Sequence, residues 1–108
     1  MAKSPRMEKI EAMLAEDPDD SFLRYSLGME HASGGDDEAA VAAFRALIAL
    51  KPEDRDTVPA YHMCGQALAR LGREPEAVAV LRAGIAVARR VGDSHAAGEM
   101  DGLLATIE

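Results

Sequence analysis

Residues 21–54 read SFLRYSLGMEHASGGDDEAAVAAFRALIALKPED, and the fold turns on how that stretch is spaced. Leu27-Gly28 is followed by Gly35, Ala40, Phe44 and Pro52, at seven, twelve, sixteen and twenty-four residues from Gly28. A second stretch keeps the same intervals: Cys64-Gly65 is followed by Gly72, Ala77, Leu81 and Arg89. Four matched spacings are hard to obtain by chance, so the chain carries an internal repeat.

Each stretch reads as two helices about a tight turn. Gly35 and Gly72 fall where a helix ends in a left-handed cap, a conformation glycine adopts without steric cost. Asp36-Asp37-Glu38 then supplies an N-cap and an acidic first turn, and Pro75 suits the first position of the corresponding helix. Gly28 and Gly65 lie inside helices, where each costs about 1 kcal/mol relative to Ala. That cost implies close approach of the paired helix, with Ala40 and Ala77 the expected small residues across the contact.

Outward from the repeats, Ser4-Pro5 starts a helix with Met7, Ile10, Met13 and Leu14 on its apolar face, ending before Asp17-Pro18. Asp93-Ser94 starts a last helix bearing Ala96, Met100, Leu103 and Ile107. The pattern predicts an all-α chain of six helices, at about 5–16, 20–34, 36–50, 57–71, 74–91 and 94–107. No run alternates with period two between turn signals, so no strand is expected.

These residues resemble the tetratricopeptide repeat. Leu27, Gly28, Ala40, Phe44 and Pro52 fit its pattern in the first stretch, and Tyr61, Gly65, Gly72 and Ala77 in the second. Arg24 and His31 stand where the family prefers aromatics, Leu81 and Cys64 replace Phe and Leu, and Arg89 replaces the terminal Pro. The inner glycines are 37 residues apart, about three more than the family's usual 34. The connector 53–58 is the natural place for the excess, since loops absorb insertions cheaply.

The resemblance implies a right-handed α-solenoid forming one domain over residues 1–108. Its expected parts are an N-terminal half-repeat helix at 5–18, repeats at 21–54 and 58–91, and a capping helix at 94–107. The first helix of each pair then lines a concave groove for a partner peptide or helix. On the first such helix, Leu23, Leu27 and His31 face the paired helix, while Phe22, Tyr25, Ser26, Met29 and Ser33 form a second stripe. The same offsets in the next repeat give Pro59, His62, Met63, Gln66 and Arg70. The expected partner-binding residues are therefore Phe22, Tyr25, Met29, His62, Met63 and Gln66. Packing of Phe22 and Tyr25 against the N-terminal helix is the competing assignment. Tyr25, Met29 and Met63 replace the Lys and Asn clamp by which the family holds chaperone carboxylates, so that ligand class is not expected.

Composition narrows the function. With 108 residues, 48% hydrophobic and 29% charged, the chain suits a single folded domain. A net charge of −7, no basic block longer than Arg89-Arg90 and four aromatics argue against nucleic acid. The lone Cys64 excludes an internal disulfide, and no apolar run reaches signal or bilayer-spanning length. The expectation is a cytoplasmic protein that binds a protein or peptide partner, with a homodimer as the alternative and no membrane or nucleic-acid partner.

Catalytic constellations are weak. Cys64 and His62 are two apart on one helix, about 200° around it, and cannot act as a nucleophile–base pair. Cys64 and His31 fall on packing stripes, while His95 opens the last helix and is expected to be exposed. The run Glu16-Asp17-Pro18-Asp19-Asp20 lacks the glycine and downstream Glu of a calcium loop and reads as helix capping. No enzyme, metal or cofactor is expected.

Overall fold

The computed structural model describes residues 3–108; Met1 and Ala2, the first residues of the expected 1–108 unit, lie outside them. Among the described residues the chain forms six helices and no strand. They are α1 (Pro5–Glu16), α2 (Ser21–Ser33), α3 (Asp37–Leu50), α4 (Val58–Arg70), α5 (Glu74–Arg90) and α6 (Ser94–Ile107). Consecutive helices run antiparallel and stack as a right-handed α-solenoid, α2 against α3, α3 against α4, α4 against α5 and α5 against α6. The α1–α2 contact is the thinnest between consecutive helices.

Three reversals use one backbone device. Gly35, Gly72 and Gly92 have φ of +81°, +74° and +81°. At each, the next amide reaches back to a carbonyl of the final helical turn: Asp36 to His31 at 2.9 Å, Arg73 to Leu68 at 2.9 Å, Asp93 to Ala88 at 2.8 Å. The glycine amide makes a second, shorter-range bond, which completes the Schellman pattern and satisfies the last carbonyls. Side-chain caps then restart the helices: Asp36 accepts from the Ala39 amide, Asp93 from Ala96, Asp20 from Leu23 and Ser4 from Met7.

The inner glycines do face the paired helix, but not across from alanine. A Cβ on Gly28 would stand 2.4 Å from Cε1 of Phe44, and one on Gly65 would stand 2.5 Å from Cδ2 of Leu81. Ala40 and Ala77 are buried nearby, while the large side chain four residues on occupies the glycine notch. Gly84 repeats the device between α5 and its neighbours, its missing Cβ 2.5 Å from Tyr61 Cβ and 2.7 Å from Met100 Sδ. Counted from each N-cap, the residue of α6 equivalent to Gly28 and Gly65 is Asp101, exposed and 3.9 Å from Arg89. A carboxylate there offers no notch for another helix.

The core runs through α3 to α6, with Phe44, Leu47, Leu68, Leu81 and Met100 fully buried. Helix α1 buries Met7 and Ile10, leaves Leu14 half-buried and exposes Met13, so its apolar face is narrower than its sequence suggests. On α2 only Gly28 is fully buried; Leu23, Leu27 and His31 are half-buried because α1 covers them thinly. His31 is thus not a core histidine but lines a cleft of about 400 Å³ with Lys3, Ser4 and Met7. In α6 the buried residues are Ala97, Met100 and Leu104, and Ala96, Leu103 and Ile107 flank them.

The long connector is ordered. A 3-10 turn at Arg55–Thr57 leads into α4, with Asp54 accepting from the Asp56 amide at 2.8 Å. Arg55 Nη2 donates to the Val91 carbonyl at the end of α5, Glu53 pairs with Arg90, and the Tyr61 hydroxyl donates to the Pro52 carbonyl at 2.8 Å.

The notch predicts opposite outcomes for two Gly→Ala changes. Gly28→Ala should lower unfolding free energy by about 1–3 kcal/mol through overpacking. Gly98→Ala, on α6 where a Cβ meets nothing within 4 Å, should be neutral or raise it by up to about 1 kcal/mol. Urea unfolding of both variants checks this; equal midpoints would rule out the notch.

Candidate protein-binding groove

Helices α2 and α4 lie side by side, each the first member of a helical pair, and touch directly. Between them opens a cavity of about 220 Å³ lined by Met29, Ala32, Ser33, Met63, Gln66 and Arg70. The two methionines are half-buried, resting on the core with part of each side chain open. A thioether wall is apolar yet adaptable, so it can fit side chains of differing shape.

The cavity carries almost no net charge. No carboxylate lines it, although the chain has 19 acidic residues. Its one cation, Arg70, is held by Asp37 at the start of α3 through Nε–Oδ contacts of 3.1 Å and an Nη2–Oδ1 contact of 2.8 Å. That hydrogen bonding raises the Arg70 pKa further. The fork fixes the guanidinium geometry and neutralises it. Ser33 and Gln66 supply the remaining polar atoms, with Gln66 Nε2 3.4 Å from His62 Nε2.

Of the six expected binding residues, Met29, Met63 and Gln66 come together in this cavity, and His62 stands beside Gln66. Tyr25 is drawn inward: its ring lies 5.8 Å from that of Phe44, tilted by 47°, and burial raises its pKa. Phe22 lines neither the cavity nor the core and is 69% exposed. Ala32 was missing from the sequence expectation, though it falls three residues after Met29 on the same face. Cys64 is fully buried, and burial pushes its thiol pKa up. Among the described residues no cluster of three or more His, Cys, Asp or Glu can hold a metal, and no helix is long and apolar enough to cross a membrane.

The geometry is that of stacked helical pairs sharing an open face, and comparison with known proteins agrees. A family model described as tetratricopeptide repeat matches residues 23–54. The solution structure of a tetratricopeptide repeat domain protein from Salinibacter ruber is 31% identical, with a TM-score of 0.76 over 84% of this chain and 89% of that one. A Bordetella parapertussis protein of known solution structure is 27% identical, with a TM-score of 0.79 over 98% of this chain and 89% of its own. Photosystem I assembly protein Ycf3 of Rippkaea orientalis is 36% identical over 72 residues, 62% of this chain; the chain spans 42% of that relative's length. The chain belongs to the tetratricopeptide repeat family. Proteins of this fold serve protein–protein interaction.

The buried thiol has a direct readout. A thiol reagent should label Cys64 in the folded protein slowly even at mildly alkaline pH, since both access and thiolate formation are suppressed. Labelling at the rate of the unfolded chain would contradict the burial.

Proposed function

We propose that the chain is a non-enzymatic interaction module that buries an apolar side chain of a partner protein between Met29 and Met63. The observation that carries this reading is the uncharged, methionine-walled cavity between α2 and α4, in a chain otherwise strongly acidic. Desolvating a neutral apolar wall costs little, while a large side chain seated there gains burial on several sides. Gln66 and Ser33 supply polar atoms at its rim for the partner's backbone, with His62 beside Gln66.

The division into a leading half-repeat, repeats at 21–54 and 58–91 and a closing helix at 94–107 belongs to the same proposal. Asp101 in place of a notch glycine supports the closing role of α6. The photosystem I assembly protein among its relatives supports a role in bringing other proteins together.

The double variant Met29→Ala, Met63→Ala separates recognition from packing. Truncating binding anchors should weaken partner capture by about 1–2 kcal/mol or more. Truncating core methionines would instead cost about 2–5 kcal/mol of folding stability each. Thermal unfolding and capture measured on one preparation should show association falling more than stability. Lost stability with unchanged association would sink the groove assignment.

A further inference from the structure

The large exposed apolar side chains of the described residues are Met13, Phe22 and Leu50, at 41%, 69% and 39% exposure. All three sit at one edge of the solenoid. Met13 is in the last turn of α1, Phe22 in the first turn of α2 and Leu50 at the end of α3. Antiparallel stacking brings those three helix ends together.

The same edge carries a run of negative charge. Residues 13–24 hold four carboxylates against one guanidinium, a net of three negative charges out of the chain's seven. Asp20 is engaged in capping α2. Glu16, Asp17 and Asp19 are exposed and make no ion pair among the described residues. Of the cations at this edge, Arg24 donates Nε to the Pro18 carbonyl at 2.6 Å, and Lys51 ends α3 directly after Leu50. Most other cations are paired: Arg6 with Glu30, Arg45 with Glu76, Arg70 with Asp37 and Arg73 with Glu38.

Glu16 and Asp17 are also placed against local electrostatics. They end α1, where its carbonyls make the negative pole of the helix, and the last turn has no basic residue. Capping does not explain them, because the Asp17 side chain caps nothing and only its amide bonds back to Met13. An external cation would relieve that repulsion.

We propose that this edge is a second docking surface, separate from the groove, for a basic amphipathic segment of a partner protein. Lys or Arg of that segment would face Glu16, Asp17 and Asp19 while its apolar residues cover Phe22 and Leu50. Nucleic acids and anionic membranes carry the wrong charge for this surface. The surface does not depend on the groove assignment, since Phe22 lies outside the Met29–Met63 cavity.

The test uses the intact chain and a fluorescent synthetic peptide with Lys and Leu on opposite helical faces, beside a twin with Glu in place of Lys. Anisotropy should report binding of the Lys peptide alone, weakening as salt is raised. The variant Glu16→Gln, Asp17→Asn, Asp19→Asn should bind it about tenfold more weakly, the scale of three exposed ion pairs. Phe22→Ser should weaken it as well. Glu74→Gln, Glu99→Gln, Asp101→Asn removes equal charge elsewhere and should bind like the parent, as should Met29→Ala, Met63→Ala. Absence of binding would overturn the proposal. So would equal weakening by the distant charge variant, which would mean attraction to net charge alone. Weakening by the methionine variant only would place the peptide in the groove and overturn the edge while sustaining the groove.

Discussion

Everything in this fold depends on how near two helix backbones come where a side chain is omitted. Gly28 leaves the space that the Phe44 ring fills, Gly65 the space that Leu81 fills, and Gly84 the space shared by Tyr61 and Met100. Each notch gives up helix propensity and in return lets a large apolar side chain become fully buried, as Phe44, Leu81 and Met100 are. The succession of notches sets which face of each helix turns inward. It thereby fixes which residues of α2 and α4 are left on the open side, and the Met29–Met63 cavity is a consequence of it.

Charge is arranged around that apolar frame unevenly. At the edge where α2 ends and α3 begins, Arg70, Arg73 and Arg45 tie Asp37, Glu38 and Glu76 across α3, α4 and α5. Arg73 and Arg45 hold the Glu76 carboxyl below its ordinary pKa. Single exposed pairs contribute little, but they leave the cavity beside Arg70 electrically quiet. At the opposite edge Glu53 pairs with Arg90, while Glu16, Asp17 and Asp19 make no ion pair among the described residues. An acidic chain thus keeps the cavity between α2 and α4 free of carboxylates and leaves Glu16, Asp17 and Asp19 without ion pairs among the described residues.

The helices, their caps and the notch glycines were legible in the sequence because each rests on local rules repeated at fixed intervals. The partner across each notch was not. Periodicity resolves a helix face to about a third of a turn, and Ala40 and Phe44 share a face, so only packing decides which enters the notch. That Met29, Met63 and Gln66 share one cavity was legible because matching offsets on neighbouring helices converge. The exposure of Phe22 and the half-burial of His31 have one cause: α1 covers α2 thinly, and no local pattern reports the strength of a tertiary contact. Gly84 and the Arg55–Val91 bond left no sequence signal beyond a glycine in a helix and an arginine in a loop.

The central claim is that the glycine and the bulky side chain facing it are one interaction. A double-mutant cycle on Gly65 and Leu81, read by urea unfolding, tests it most directly. Leu81→Ala should destabilise the parent strongly, by about 2–5 kcal/mol. In the Gly65→Ala background the same change should cost at least about 1 kcal/mol less, because the truncated side chain makes room for the added methyl. Strictly additive free energies would contradict the account.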